Sequence, residues 1–196
     1  QNSRLDLVTQ ILLTDTSSLH VTLKPENLAT RARHVGLEGV GASWSAEALN
    51  RFADNLYPLE ETESGTHIRW TGPEPRTDFE LPISRDQSIS LEITTPAIIK
   101  PELFARLSVL VDGRQRPYKL YPKPMRIVVG LPKRSDQTPT AVSLIMPSMH
   151  SPEEVGGASD ARLLGIGISN IALQPRRTTS RDRLKSLILK TRLWSG

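Results

Sequence analysis

Residues 151–173, SPEEVGGASDARLLGIGISNIAL, divide into a turn-rich approach and a closing apolar run. Pro152, Gly156, Gly157, Ser159 and Asp160 supply turn chemistry, through a fixed φ, freedom at positive φ, or side-chain bonds to nearby backbone. Over 164–173 the pattern predicts a strand with Ile166, Ile168 and Asn170 on one face. Gly165, Gly167, Ser169, Ile171 and Leu173 do not keep one alternation, so a bulge near Ser169 or Asn170 is expected. None of these residues reads as catalytic by type. The stretch reads as the closing strand of a β-sandwich.

The chain upstream carries the strands that such a sandwich needs. Residues 66–71 place Ile68 and Trp70 inward, with His67 and Arg69 outward. Residues 78–82 follow the turn at 72–75, and 88–94 alternates Ile89, Leu91 and Ile93 against Ser90, Glu92 and Thr94. Residues 105–111 alternate Leu107, Val109 and Val111, and Asp112-Gly113 then turns the chain into 116–120. Residues 125–131 and 141–146 complete the set. Short strands with turns recurring about every ten residues predict a mainly β fold, an antiparallel β-sandwich of jelly-roll type.

Two segments flank residues 35–173, the predicted sandwich domain. In residues 1–34, Leu5, Val8, Ile11 and Leu12 keep helical spacing, and 18–24 alternates as a strand up to Pro25. That segment reads as a linker or assembly element, or as a helix packed on the sandwich. In residues 174–196, Ser180 suits a helix cap and Leu184, Leu187 and Ile188 form an apolar stripe. Inside the domain, residues 47–56, EALNRFADNL, predict a short helix after Ser45 as N-cap.

The turn-and-strand pattern also carries a resemblance. Ser151, Pro152, Glu154, Gly156, Ser159, Asp160, Arg162, Leu164, Gly165, Ile171 and Leu173 follow S-P-x-E-x-G-x-S-x-D-x-R-x-L-G ending in I-x-L, with Gly157 as one extra residue. Upstream, GASWSAE at 41–47, HIRWTG at 67–72 and VDGR at 111–114 fit more loosely. Together these motifs resemble accessory β-sandwich domains attached to bacterial surface-polysaccharide glycosyltransferases, over residues 39–173. The resemblance implies a fold and a glycan-handling setting, with no uniform activity, and it implies an extended loop where the spacing suggests the 47–56 helix.

Charge separates the parts. Residues 174–196 hold seven basic residues against Asp182, or 7 − 1 = +6, and the chain has 25 basic and 21 acidic residues. The remainder therefore carries 18 − 20 = −2, so a uniformly basic nucleic-acid-binding body is not expected. Arg181, Arg183, Lys185, Lys190, Arg192 and Trp194 make the tail a basic amphipathic element. It suits an anionic membrane surface or an acidic partner, and equally a helix docked on its own domain. No apolar run approaches the roughly 20 residues of a bilayer span, and no signal-peptide pattern is read. A start on Gln1 suggests a processed chain or an excised piece. A cytoplasmic or membrane-peripheral setting fits best.

Few residues suggest chemistry. There is no cysteine, and His20, His34, His67 and His150 lack metal-ligand spacing. Ser43, Ser45 and Ser148 sit in no nucleophile-elbow motif. Glu60, Glu61 and Glu63 form an acidic cluster, and Asp160 is expected to pair locally with Arg162. Sugar recognition needs an aromatic face and planar polar groups for the hydroxyls. Trp44 and Tyr57 are the aromatics expected to be exposed, with Arg69 and Glu60 as polar partners and Asn55 nearby; Trp70 reads as core.

The leading reading is a non-catalytic, cofactor-free module that binds bacterial surface polysaccharide or supports a glycan-handling protein. An oligomeric structural or assembly protein is the alternative, with a protein partner or a second copy as its ligand. A carbohydrate-active hydrolase comes third.

Overall fold

The computed structural model describes residues 37–156 and 158–176. The expectations for residues 1–34 and for the basic helix at 180–194 lie outside the described residues.

In chain order the elements are β1 (Ser43–Ser45), the one-turn helix α1 (Ala46–Leu49), β2 (Leu56–Glu61), β3 (His67–Thr71), β4 (Arg76–Leu81), β5 (Ile89–Thr94) and β6 (Ala97–Ile98). A 3-10 helix (Pro101–Arg106) follows, then β7 (Ser108–Val111), β8 (Arg114–Gln115), β9 (Tyr118–Pro122), β10 (Met125–Leu131), β11 (Thr140–Ile145), β12 (Ile166–Ile168) and β13 (Asn170–Pro175). They form an antiparallel β-sandwich of three hydrogen-bonded sheets. The strand orders are β1-β13-β5-β10-β9, β4-β11-β7-β8 and β2-β3-β12-β6.

Alternation explains the core. The inward residues Leu91, Ile93, Ile127, Val129, Ile171 and Leu173 of the five-stranded sheet are all buried. They share one cluster with Phe79, Leu81, Val109, Val111, Val142 and Leu144 of the β4-β11-β7-β8 sheet. Central pairings such as Ile93↔Ile127 and Leu91↔Leu173 put like-sized apolar side chains directly opposite. The Asp112-Gly113 turn has positive φ at both residues, 49° and 73°, the conformation a two-residue hairpin of this type requires.

Three expectations are corrected. The closing strand is two strands, because the chain changes sheet at Ser169 instead of bulging within one ladder. The Ser169 N–H donates to the Thr94 carbonyl at 3.0 Å, while its own carbonyl accepts from the Ala46 N–H at 2.8 Å. The broken alternation was the signature of this corner. At Gly167 a Cβ would come within 2.8 Å of Ile68 Cδ1 and 3.1 Å of Ala97 Cβ, so a side chain there would make the neighbours on β3 and β6 shift.

The helix after Ser45 is shorter than its propensity suggests. It stops at Leu49, and residues 52–54 run along β4 instead, with Glu80 N–H donating to the Phe52 carbonyl at 2.7 Å and Asp54 N–H to Asp78 at 2.9 Å. Edge pairing satisfies these groups better than one further helical turn. The strand expected at 105–111 starts only at Ser108, since residues 101–106 coil into the 3-10 helix that buries Leu103 and Phe104.

Candidate functional site: a tyrosine–arginine–carboxylate cluster

The residues proposed for sugar contact fall in different places. Trp44, at the centre of β1, is only 8 % exposed and meets Phe52 edge-to-face with ring centroids 6.1 Å apart. It is core, not platform. Its flanking serines point outward, so the loop-like GASWSAE stretch hides an alternation of period two. Trp70, expected in the core, is half-buried. Asn55 spends its side chain on backbone, donating to the Glu74 and Arg76 carbonyls at 2.7 Å each and accepting from Glu74 N–H at 3.1 Å.

Tyr57 and Glu60 do come together, and Arg162 is what joins them. Tyr57 and Glu60 lie on β2, at the rim of the β2-β3-β12-β6 sheet, while Arg162 arrives from the loop before β12. The Arg162 guanidinium sits over the Tyr57 ring, 5.2 Å from its centroid. It donates through Nη1 to Glu60 Oε1, through Nη2 to Asp160 Oδ2 at 2.7 Å, and through Nε to Asp160 Oδ1 at 3.1 Å. The Arg162 backbone N–H donates to Asp160 Oδ1 at 2.9 Å. The expected Asp160–Arg162 pair is therefore present, and a strand 102 residues away completes it.

Arg69 serves the frame of this cluster. From β3 it donates through Nε to the Ala46 carbonyl at 2.8 Å and through Nη1 to the Tyr57 carbonyl at 3.1 Å. It thus ties α1 and β2 to β3. Beside it on β3, His67 pairs with Glu47 of α1. The Glu47 carboxyl is lowered to about 2, first by the Ser45 hydroxyl, then by backbone and by His67.

Electrostatics hold the cluster in one charge state. Hydrogen bonds from the Arg162 side chain, then from its backbone N–H, keep the Asp160 carboxyl below the usual carboxylate range. Hydrogen bonds to Asp160 and then Glu60 hold Arg162 above its ordinary value. Burial pushes the Tyr57 phenol up. Glu60 and Asp160 against Arg162 and the framing Arg69 give the site a formal charge of −2 + 2 = 0.

A pH dependence follows from Asp160. A depressed folded-state pKa adds stability above the unfolded value that is lost as pH falls through the folded one. Asp160→Asn should therefore melt below wild type at neutral pH. The gap should close as pH drops beneath the ordinary carboxylate range, where wild-type Asp160 is itself protonated. Melting curves taken from pH 7 to pH 2 check this; a gap constant across that range would show that charge is not the cause.

Among the described residues no group of three or more His, Asp or Glu side chains is placed to hold a metal ion. No family model matches the chain, and no curated protein does. Two solved structures are similar in fold. The module CsCBM6-3 from Clostridium stercorarium, solved in complex with cellobiose, aligns at 10 % identity and a TM-score of 0.39 over 71 % of this chain and 98 % of its own. A second family 6 carbohydrate-binding module aligns at 8 % identity and a TM-score of 0.40, over 71 % and 97 %. At these scores neither likeness decides what this chain binds, and that question rests on the site itself.

Proposed function

We propose that the protein is a glycan-binding β-sandwich module, holding a neutral, hydroxyl-rich bacterial surface polysaccharide at the Tyr57–Arg162 cluster beside a glycan-handling enzyme. The observation that carries this reading is the convergence of one aromatic ring, one guanidinium and two carboxylates at a sheet rim. The Arg162 guanidinium stacked on Tyr57 gives the sugar a planar donor group backed by an aromatic ring, and the free lone pairs of Glu60 and Asp160 accept from sugar hydroxyls. With its guanidinium groups already matched by carboxylates, the site has no surplus cation for an acidic glycan and suits a neutral one. Hydrolysis of a glycosidic bond fits poorly. A glycosidase needs one carboxylic acid kept protonated, whereas Asp160 is held ionised by the guanidinium it shares with Glu60.

Binding of the full chain to arrayed neutral polysaccharides tests this. Tyr57→Ala should weaken the best binder about tenfold, the roughly 1.4 kcal/mol that one aromatic contact supplies. No binding to any glycan, or release of shortened sugar, would overturn the reading. A second reading, assembly, has its own observation. On β9, an edge strand among the described residues, Leu120 and Tyr121 are both 41 % exposed. Sedimentation of a concentrated sample as a dimer would favour that reading.

A further inference from the structure

The loop between β11 and β12 holds a second constellation that the glycan site does not use. Ser148 Oγ lies 3.0 Å from His150 Nε2, and His150 Nδ1 lies 3.5 Å from Glu154 Oε2. A hydroxyl, an imidazole and a carboxylate thus stand in the order of a serine-nucleophile triad. The tautomer that suits both neighbours carries its proton on Nδ1, on the carboxylate side, and leaves Nε2 to accept from the Ser148 hydroxyl.

The support beneath the three groups is also in place. Ser151 and Glu154 form a reciprocal capping box: Glu154 N–H donates to Ser151 Oγ at 3.1 Å, and Ser151 N–H donates to Glu154 Oε2 at 3.2 Å. Ser151 is buried, so the box is anchored in the body of the domain. His150 is held by its backbone, donating to the Leu164 carbonyl at 3.3 Å and accepting from Leu164 N–H at 2.9 Å. These bonds already fix the loop without the Ser148–His150–Glu154 chain, so bracing alone does not account for a serine hydroxyl set against a ring nitrogen. Ser148 and His150 are half-buried and Glu154 is exposed, which leaves one side open to solvent.

We propose that Ser148 is the nucleophile of an acyl-transfer site that hydrolyses esters of short carboxylic acids. The alcohol part would be an O-acylated sugar, a choice that rests on the glycan-binding reading. The Ser148 oxygen bonds to the ester carbonyl carbon while its proton passes to His150 Nε2. The bond from that carbon to the alcohol oxygen then breaks, and the alcohol leaves with the proton from His150. Water attacks the acyl-serine in the same way, giving its proton to His150, which returns it to the Ser148 oxygen as the carboxylic acid departs. Ester and water become acid and alcohol. Glu154 is a positioning residue, orienting the imidazole and steadying it while it is charged.

The full chain is treated with a fluorophosphonate probe and, separately, with p-nitrophenyl acetate. The expected results are an adduct on the peptide containing Ser148 and hydrolysis with an initial burst. Ser148→Ala should abolish the adduct and slow hydrolysis at least about 100-fold, because His150 then has no hydroxyl to activate. Glu154→Gln preserves the capping box, since glutamine also serves at that position. It should therefore lower kcat with KM and melting temperature unchanged, a split that a purely structural role would not produce. Absence of the adduct on folded protein, or equal hydrolysis by Ser148→Ala, overturns the proposal. An O-acetylated polysaccharide separates the two readings. Turnover of p-nitrophenyl acetate with no acetate released from the polysaccharide would leave the acyl-transfer site standing and remove the glycan as its substrate.

Discussion

Leu91→Asp is expected to leave the chain unable to hold its fold at physiological temperature. Leu91 has 0 % exposure and lies mid-strand in β5, directly opposite Val129 on β10 and Leu173 on β13. Both neighbours are apolar and fully buried, so neither offers an aspartate there a donor or a cation. Losing the leucine forfeits about 1.5–3 kcal/mol of apolar burial. Burying a polar group without a partner costs a comparable amount or more, and the carboxylate escapes part of that cost only by protonating. A combined loss of at least about 4 kcal/mol is a large share of the roughly 5–15 kcal/mol that holds a domain together. Circular dichroism melting checks this, with Leu91→Met as the volume-conserving control that should fall by less than about 1.5 kcal/mol. A Leu91→Asp protein melting near wild type would mean that β5 does not face the core.

The sandwich was legible because period two is a local signal. The pattern over 125–131 predicts a strand with the limits the structure shows, and Ile89, Leu91 and Ile93 alternate with partly exposed Ser90, Glu92 and Thr94 over the whole of β5. Errors arose where tertiary partners overrode that signal. The turn of helix expected beyond Leu49 lost its backbone groups to β4, and the presumed bulge at Ser169 was a change of partner sheet. Neither partner is adjacent in sequence. Trp44 was misplaced for another reason: its serine neighbours suggest a loop, and only its packing on Phe52 identifies the inward face.

The candidate sites divide along the same line. Asp160 and Arg162 are two residues apart, and their pairing could be read directly; Glu60 is 102 residues from Arg162, and nothing in the spacing announces their contact. Ser148, His150 and Glu154 are close in sequence, yet no metal-ligand spacing and no strand–turn–helix elbow marks them as a site. The capping signal at Ser151 and Glu154 was available, since S-P-E-E fits the box pattern. What the sequence does not contain is the rotamer that turns the ring of His150 toward Ser148.

Gly72→Ala is the second large effect, and it couples stability to the glycan site. Gly72 has φ of +140°, which an L side chain adopts only under strain. A Cβ at this position would stand 2.2 Å from the Leu163 carbonyl oxygen and 2.8 Å from Tyr57 Cε2. The first contact is with backbone, so no rotamer change relieves it; the loop carrying Arg162 must move away from β3. Backbone strain of about 1–3 kcal/mol adds to overpacking of about 1–3 kcal/mol. At roughly 2–4 °C per kcal/mol for a chain of this length, the melting temperature should fall by about 10 °C. The displacement also pulls Arg162 off the Tyr57 ring and away from Glu60, so binding to the best arrayed glycan should be lost even well below the new melting temperature. Asp160→Asn distinguishes the causes, because it loosens Arg162 without pushing on Leu163 or Tyr57. If Gly72→Ala melts lower but binds the glycan like wild type, the Tyr57–Arg162 cluster is not where the sugar sits. If it neither melts lower nor binds less, the close approach of Leu163 to Gly72 is absent from the protein in solution.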